Sequence, residues 1–505
     1  LGLSAVVQWA SRPQGLFGGG TVGTDTAGGS NSKGVEVPCG QKSQAEQLRI
    51  ELFARKQYAT AVQEGMAPQE AAVAVAAASG VVLPQAGAAG QAAAAGAGAR
   101  VTILEQKGEL GKKLLSTGNG KCNFTNIRQM PGAYRCEHPD FAMEVISRFP
   151  VPETTRLFLE MGLYSKNRDG YLYPHSEQAQ AVRDVLVMEL KRLQVKVETN
   201  VFAEKITKGA RFHITAKRYL QRPEKKSKKR TVLVTVGEEE QTYEADHVIL
   251  TAGGLAGRVQ RADGTGMRMA GKLGHTIVPC VPALVQLMCE EAFYPKISGV
   301  RAGAKIELVC GGEVRALDQG EIQFTDYGIS GIPVFQISRF AAKALSEGTI
   351  EVRAELDFMP DFTKEQLKSF LLSRIQMRPE KPVRTFLTGV FHEKLAYILL
   401  ERAGISGKFL AKDLTKADVD CLVHVIKIFS TRITGTKGFE QAQVSAGGMA
   451  TDEVDSKTME SRIVPGLFLA GEVLDIDGMC GGYNLQWAWS SGYVAGRSAA
   501  GKEQA

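Results

Sequence analysis

Residues 81–105 alternate short apolar runs with glycine-rich turns, and this pattern limits the folds open to the chain. VVL at 81–83 predicts a buried strand, AGAAG at 86–90 a glycine turn, and QAAAA at 91–95 the start of a helix. RVTILE at 100–105 predicts a second strand, which closes on Glu105. Two parallel strands need a crossover between them, usually a helix. The segment therefore predicts a βαβ unit and an α/β fold built on a parallel sheet.

The glycine turn indicates what such a unit binds. In dinucleotide-binding units, backbone N–H groups and a helix N-terminus face a pyrophosphate, and an acid after the second strand accepts ribose hydroxyls. Gly87, Gly90 and Glu105 occupy these positions. Gln85 replaces the first glycine of the usual pattern, and Pro84 removes a backbone donor. A second register stays open, in which residues 73–80 supply the strand and the turn.

Three more glycine-rich segments follow predicted strands or loops. KGELGKKLLSTGNGKCNFTN at 107–126 can wrap a phosphate and offer amide donors to a polar ring. ADHVILTAGG at 245–254 is an apolar strand ending in two glycines, which let the backbone approach a ligand closely. Near the C-terminus, LFLAG ends in Gly471 and Glu472, and GGYN at 481–484 precedes a helix.

The C-terminal segment suits a flavin. Glu472 can place its carboxylate on the ribityl hydroxyls of FAD, and Asn484 is placed to cap the helix. The positive end of that helix would stabilise the anionic reduced ring. Gly481 and Gly482 would let the backbone reach the ring. The alternative is a terminal structural helix with Trp487 and Trp489 buried.

Composition excludes several classes of protein. The chain has 505 residues and a net charge of +7, and residues 217–230, with eight Lys or Arg and one Glu, account for all of it. We interpret this run as a solvated hairpin loop, and nucleic acid is not the expected partner. The longest weakly apolar run, at 71–83, is shorter than the ~20 residues that span a bilayer, so we expect no membrane helix.

Cysteine usage bears on the compartment and on metal binding. The eight cysteines show no CxxC spacing and no zinc-type cluster with histidine, so we expect no metal site. Sparse unpaired thiols are typical of a reducing compartment, which favours the cytoplasm. The acid-poor Gly/Ser-rich stretch at 15–34 is also typical of a transit-peptide remnant, which would instead place the protein in an organelle.

Five segments together closely resemble the BaiN/YhiN-like flavoproteins, also described as NAD(P)/FAD-dependent oxidoreductases or aminoacetone-oxidase-family FAD-binding enzymes. The resemblance covers about residues 80 to 500 and rests on GKKLLSTGNGKCNFTN (111–126), GYLYPHSEQA (170–179), FTDYGISGIPVFQ (324–336), TGTKGFEQAQVSAGG (434–448) and AGEVLDIDGMCGGYNLQWAWSSGYVAGR (470–497).

The resemblance implies a glutathione-reductase-like FAD-binding Rossmann domain interrupted by two insertions. Residues 278–355 show strand patterns and residues 361–430 helix patterns, with Asp361 and Thr415 as plausible helix starts. The predicted organisation is an N-terminal extension at 1–75, partly disordered, an FAD-binding domain at 76–278 and 434–505, an antiparallel β flap domain at 279–358, and a small helical domain at 359–433.

The resemblance also implies the residues that hold FAD. They lie in the βαβ unit, in the loops after the strands and at the start of the C-terminal helix: Gly87, Gly90, Glu105, Lys113, Gly118, Gly120, Cys122, Asn123, Val201, Ala252, Gly253, Gly254, Gly471, Glu472, Gly481, Gly482, Tyr483 and Asn484.

The function predicted on these grounds is an FAD-dependent oxidoreductase that passes hydride from NADH or NADPH through FAD to a small organic acceptor. The alternative is a flavin-binding or flavin-free interaction protein with a degenerate fingerprint. A plain NAD-dependent dehydrogenase does not account for the C-terminal segment. No residue stands out as a general acid or base, and we expect Tyr483, Tyr327, His175 and Glu472 to be structural or to orient FAD.

Overall fold

The computed structural model describes residues 79–83, 88–227, 230–257 and 262–501. Its strands, in chain order, are β1 (Ser79–Leu83), β2 (Arg100–Glu105), β3 (Thr125–Asn126), β4 (Tyr134–Arg135), β5 (Ser165–Arg168), β6 (Tyr171–Pro174), β7 (Lys196–Thr199), β8 (Val201–Lys208), β9 (Phe212–Ser227), β10 (Arg230–Ala245), β11 (His247–Leu250), β12 (Ile277–Ala283), β13 (Leu287–Cys289), β14 (Arg301–Cys310), β15 (Glu313–Phe324), β16 (Gly328–Ser330), β17 (Val352–Asp357), β18 (Phe429–Thr436), β19 (Val444–Met449), β20 (Leu467–Leu469) and β21 (Asp477–Gly478).

The helices, in chain order, are α1 (Ala88–Gly96), α2 (Lys112–Leu115), α3 (Pro139–Arg148), α4 (Val151–Glu160), α5 (Ala179–Arg192), α6 (Thr265–Lys272), α7 (Tyr294–Ile297), α8 (Ile332–Ser346), α9 (Lys364–Met377), α10 (Glu393–Arg402), α11 (Lys416–Lys427), α12 (Gly438–Gln441) and α13 (Tyr483–Ala499).

A five-stranded parallel sheet, in the order β20-β11-β1-β2-β7, forms the centre of the Rossmann-type part. Strand β1 is its middle strand, and helix α1 begins at Ala88. The order strand, helix, strand in the described residues agrees with the first register of the βαβ unit. The second register is wrong, because Ser79 and Gly80 lie in β1 and not in a turn. The extension at 1–75, Gln85 and Gly87 lie outside the described residues.

Helix α13 packs against α1 and also contacts strands β11 and β20 of the parallel sheet. Trp487 and Val494 on α13 join Leu104, Ile249 and Leu469 of the sheet in one hydrophobic cluster. The terminal helix therefore holds the first βαβ unit and the last strand together.

The second part is a closed antiparallel barrel in the order β13-β16-β15-β14-β17-β18. The chain leaves the barrel after β17, forms helices α9, α10 and α11, and re-enters the barrel as β18. Leu371 of α9, Leu399 of α10 and Leu422 of α11 share one hydrophobic cluster with barrel residues such as Ile306 and Leu356. The helical segment is thus an excursion packed on the barrel, and the domain boundaries stay predictions.

Two expectations about elements in this region need correction. Ile332–Ser346, within the stretch interpreted as strands, is helix α8. Its buried Val334, Ile337 and Ala341 repeat every three or four residues, which is the period of a helix and not of a strand. Helix α9 is capped by Thr363 and not by Asp361, whereas Thr415 caps α11 as predicted.

The basic run at 217–230 is not a loop but the end of a long hairpin. Strand β9 extends to Ser227 and β10 begins at Arg230. Lys217 and Arg218 lie opposite Glu240 and Glu239, so the base of the hairpin is neutralised by its partner strand. Among the described residues, no helix is long and apolar enough to cross a membrane.

Candidate functional site

The residues predicted to hold a cofactor follow the carboxyl ends of the parallel strands. Glu105 ends β2, Val201 comes two residues after β7, Ala252 two residues after β11, and Gly471 two residues after β20. Carboxyl ends of neighbouring parallel strands share one edge, which is where open α/β sheets bind ligands. The sheet thus brings four separate sequence motifs to one edge.

Glu105 is buried at this edge. Its Oε1 accepts a hydrogen bond from the Lys107 N–H at 2.8 Å. Burial raises the pKa of its carboxyl group from 4.5 to about 7, although that N–H and the charges of Lys107 and Lys112 lower it. Gly90 lies in the first turn of α1, the helix that joins β1 to β2. Val201 is buried where β8 begins.

Glu472 joins three motifs after β20. Its Oε1 accepts the Ser445 N–H at 2.8 Å, and its Oε2 pairs with Lys113 Nζ at 2.5 Å. Ser445 Oγ in turn accepts the N–H groups of Leu255 and Ala256, at 2.7 and 2.9 Å. A Cβ at Gly254 would lie 2.7 Å from Ser445 Oγ, so this turn requires glycine. Glu472 therefore fixes the turn at 252–254 relative to the Lys113 loop.

The loop at 117–123 turns through a run of left-handed residues. Gly118, Asn119, Gly120 and Cys122 all have positive φ. The Cys122 side chain is buried beside aromatic residues, and burial raises the pKa of its thiol to about 12. Asn123 Oδ1 is buried and, within the described ranges, has no hydrogen-bond partner.

The loop at 481–484 packs on the protein rather than standing open. A Cβ at Gly481 would lie 2.5 Å from the Tyr171 ring, and one at Gly482 would lie 2.7 Å from the Thr125 backbone. The N-cap of α13 is Gly482, so the expectation that Asn484 caps the helix is wrong. Asn484 instead accepts the Gly478 N–H at 2.7 Å and donates to the Gly478 carbonyl at 2.8 Å. Its amide is needed to close the preceding loop.

Helix α13 positions the neighbouring loops through polar groups. Trp487 Nε1 donates to the Gly471 carbonyl at 3.0 Å, and Trp489 Nε1 donates to the Phe124 carbonyl at 2.8 Å. Gln486 is fully buried and accepts a hydrogen bond from Thr125 Oγ1. The Tyr483 ring meets the Tyr134 ring edge-on in the core, as expected for a structural residue. The two tryptophans are thus buried and also tie the helix to two predicted cofactor loops.

Asp477 is a buried carboxylate just before this loop. It forms an ion pair with Arg339 of α8, with 2.9 Å between Oδ1 and Nη2, and it faces Arg135 across the β4–β21 ladder. Among the described residues, neither of its oxygens accepts a well-directed hydrogen bond. Burial therefore outweighs the two arginines and raises the pKa of Asp477 to about 6.

Two orphaned polar atoms suit a polar cofactor such as FAD. Thr251 Oγ1, at the carboxyl end of β11, is fully buried and lacks a hydrogen-bond partner within the described part of the chain. Buried polar atoms are normally satisfied. Orphaned atoms at Thr251 and Asn123, on two of the converging segments, are what a polar cofactor would satisfy. Gly253, with a φ of 74°, belongs to the turn that follows Thr251.

Several site residues are absent from the sequence-based prediction. Thr251, Ser445 and Asp477 lie inside or beside motifs that pointed to the site, yet their residue types carry no signal of their own. Arg339 lies three residues beyond the FTDYGISGIPVFQ motif, and only the folded structure brings it to Asp477.

A second polar cluster has the distances of a hydrolase triad. His275 lies 2.9 Å from Glu453 and 2.8 Å from Ser461 Oγ. Ser461 is buried, however, and its Oγ accepts the N–H groups of Ile463 and Val464. We therefore assign this cluster to holding the turn before β20.

Comparisons with known proteins agree with the resemblance seen in the motifs. Residues 79–498 match the family described as "HI0933-like protein Rossmann domain". The chain is 43% identical over 402 residues to a 3-dehydro-bile acid delta(4,6)-reductase of Clostridium scindens, covering 80% of this chain and 93% of the relative. It is 29% identical over 404 residues to a ribosomal RNA dihydrouridine synthase of Haemophilus influenzae, covering 79% and 92%. A ribosomal RNA dihydrouridine synthase of Escherichia coli is 28% identical over 402 residues, covering 79% and 91%. The predicted recognition and fold class are thereby confirmed, and the chain belongs to the HI0933-like family of FAD-binding Rossmann proteins.

Proposed function

We propose that this protein is an FAD-dependent reductase that takes hydride from NADH or NADPH and delivers it to a carbon–carbon double bond in a small organic acceptor. The oxidoreductase class follows from the family. The donor and the acceptor are our inference. The name of the Clostridium relative denotes reduction of double bonds, and dihydrouridine denotes a uridine with two added hydrogens. Both names therefore describe the same type of reaction.

The observation that carries the proposal is the convergence of separate motifs at the carboxyl edge of the parallel sheet. FAD, when bound, supplies the hydride chemistry, and the protein supplies binding and orientation. Glu105 would accept hydrogen bonds from the hydroxyl groups of the adenosine ribose. Lys113, Thr251 and Glu472 would bind the chain between the two rings. The N-terminal turn of α13 would face the ring edge that becomes negative on reduction.

Spectroscopy of the purified protein tests this function directly. We expect the visible absorption of oxidised flavin, bleaching under anaerobic NADH or NADPH, and reoxidation by an unsaturated ketone such as a 3-oxo-Δ4 steroid. The matched saturated ketone is the control and should not reoxidise the protein. A protein that binds no flavin when FAD is added would refute the proposal, and a bleached flavin unresponsive to every enone would refute the acceptor class.

The second candidate function is reduction of uridine within RNA, and the long hairpin favours it. Towards the tip, Arg222 and Lys225 are exposed and lie opposite Val234 and Thr231, so no acid faces them across the ladder. At the base, Lys217 pairs with Glu238 at 3.1 Å. Basic residues that no acid opposes across a ladder attract phosphates.

Binding to a uridine-rich RNA, measured against salt, tests this candidate. Replacing Arg222 and Lys225 by glutamine should weaken binding and lower the salt slope by roughly 1.4, because each phosphate contact on a single strand contributes about 0.7. Replacing Lys217 and Arg218, which are neutralised by Glu238 and Glu198, is the matched control. Equal losses in both double variants would argue against a specific role for the tip.

A further inference from the structure

Helix α8 belongs to the barrel through one of its faces. Val334, Ile337 and Ala341 are buried in the barrel's hydrophobic cluster. They are spaced by three and four residues, so they lie on one side of the helix. Gln336 and Arg339 are also three residues apart and form a second face, which points away from the barrel core.

That second face contacts the segment 477–482, here called the ring loop, at two points. Gln336 Oε1 accepts the Cys480 N–H at 3.0 Å, and Arg339 Nη2 lies 2.9 Å from Asp477 Oδ1. Gln336 is itself buried. One helical turn of the barrel therefore holds the ring loop at its beginning and at its middle.

The ion pair is held in a buried, aromatic setting. The Asp477 side chain is 0% exposed and that of Arg339 is 14% exposed. The guanidinium groups of Arg135 and Arg339 both lie over the Phe340 ring, 5.2 and 5.6 Å from its centroid. Removing one partner of a buried pair leaves an uncompensated charge. Without Arg339, Asp477 would keep only Arg135 opposite it, so Arg339 contributes to both the position and the charge balance of Asp477.

The opposite side of the ring loop is fixed by the Rossmann-type part. Asn484 holds Gly478, and Gly481 and Gly482 pack against Tyr171 and Thr125. The Asn126 amide also donates to the Gly481 carbonyl at 3.0 Å. The loop is therefore clamped between its own helix and a helix of the barrel.

We propose that Gln336 and Arg339 are positioning residues through which the barrel sets the preference of the site for reduced over oxidised FAD. The inference rests on the proposed function. The ring loop leads directly into the first turn of α13, whose positive end favours the negative charge of the reduced ring. A looser ring loop would move that turn, and the loss would fall more on the reduced than on the oxidised cofactor.

The test combines flavin binding with hydrogen exchange. Arg339→Met and Gln336→Leu should raise the Kd of reduced FAD at least fivefold more than that of oxidised FAD. Each tenfold change in that ratio corresponds to a potential lower by ~30 mV. The Cys480 amide of the flavin-free protein should exchange faster in both variants, a readout that is independent of turnover.

Matched variants separate positioning from folding. Arg339→Lys should recover part of the ratio, and Arg339→Met with Asp477→Asn removes the buried charge if the single variant does not fold. Arg353→Met removes an arginine that pairs with Glu351 and Glu355 elsewhere on the barrel, and it should change neither readout.

Three results would count against the inference. An unchanged ratio in the folded Arg339 and Gln336 variants overturns it, whether or not the Cys480 amide exchanges faster. An equal shift in Arg353→Met overturns it as well, because the effect would then be general. A wild-type protein that binds no flavin refutes the proposed function, whereas a flavin-binding wild type with unaltered variants refutes only this inference.

Discussion

Glu105 is the residue whose ionisation should be visible in cofactor binding. Its raised pKa of about 7 means that the buried carboxyl is protonated below that pH in the free protein. A protonated carboxyl has lost part of its capacity to accept hydrogen bonds. The hydroxyl groups of a ribose therefore favour the ionised form, and binding should be linked to the loss of a proton.

We expect FAD affinity to rise about tenfold from one pH unit below the Glu105 pKa to one unit above it, because the ionised fraction of Glu105 rises from about a tenth to about nine tenths over that range. Titration of the flavin-free protein with FAD measures this, and Glu105→Gln should flatten the profile. Glu313→Gln, at an exposed carboxylate of the barrel, is the control. An identical slope in Glu105→Gln would assign the pH dependence to another group.

The same carboxyl has an opposite effect on stability. Its folded pKa lies above the unfolded value, so protonated Glu105 stabilises the flavin-free protein fully below pH 4.5. That contribution is lost as pH rises through about 7. Binding and stability should therefore respond to pH in opposite directions around this residue.

Gly482 illustrates a glycine required by the protein's own backbone. Its φ is 91°, and an added Cβ would lie 2.7 Å from the Thr125 carbonyl and 2.9 Å from Asn123 Oδ1. Gly482→Ala should cost about 2–4 kcal/mol, from overpacking and left-handed strain together. Chemical denaturation measures this loss. Gly132→Ala has no atom within 4 Å of the added Cβ and should be nearly neutral, and equal stability of the two variants would contradict the prediction.

At the scale of elements, two helices of the excursion begin with capping boxes. The side chains of Thr363 and Thr415 accept the N–H groups of Gln366 and Asp418. In return, the side chains of Gln366 and Asp418 accept the N–H groups of the two threonines. Thr363→Ala and Thr415→Ala should each lower the free energy of unfolding by about 1 kcal/mol. Urea denaturation measures both. Asp361→Ala, just before the first box, should stay within about 0.5 kcal/mol, and a larger effect there would restore Asp361 as the functional cap.

Local signals explain which elements could be predicted. The strand predicted at 81–83, the helix that follows it and the helix after Thr415 could be predicted because their signals, turn glycines and capping residues, lie in neighbouring positions of the sequence. Helix α8 was missed because its motif was interpreted together with flanking strands, although Val334, Ile337 and Ala341 show a helical period. Asn484 has the residue type of a cap but lies two positions too late, because Gly482 already begins the helix.

At the scale of the whole molecule, the parallel sheet follows from the order of its motifs, whereas the contacts between parts do not. No local pattern links Arg339 to Asp477, or Ser445 to the turn at 254–256, because their meeting depends on how the barrel and the sheet are connected. For the same reason, the return of β18 to the barrel could not be predicted. Sequence reasoning therefore identified the motifs at the carboxyl edge of the sheet but not the contacts that connect them.

Binding of FAD at an edge shared by four motifs should stabilise the whole Rossmann-type part. A ligand at a hundredfold excess over its Kd adds about 2.7 kcal/mol if it binds only the folded state. We expect the Tm of the flavin-free protein to rise with FAD concentration. Riboflavin lacks the adenosine half that Glu105 would bind, so it should protect much less. Equal protection by both would place the binding energy at the ring alone.

The late positions of β18 and β20 in the chain have a consequence for how the chain matures. Each closes a structure begun far upstream: β18 completes a barrel that starts at β13, and β20 completes a sheet that starts at β1. Contacts between residues so distant in sequence form slowly, and unpaired strand edges promote aggregation while they wait. During synthesis neither part can close before its late strand leaves the ribosome. A ribosome that stalls between α11 and β20 would therefore release a chain with open strand edges, which chaperones would have to shield.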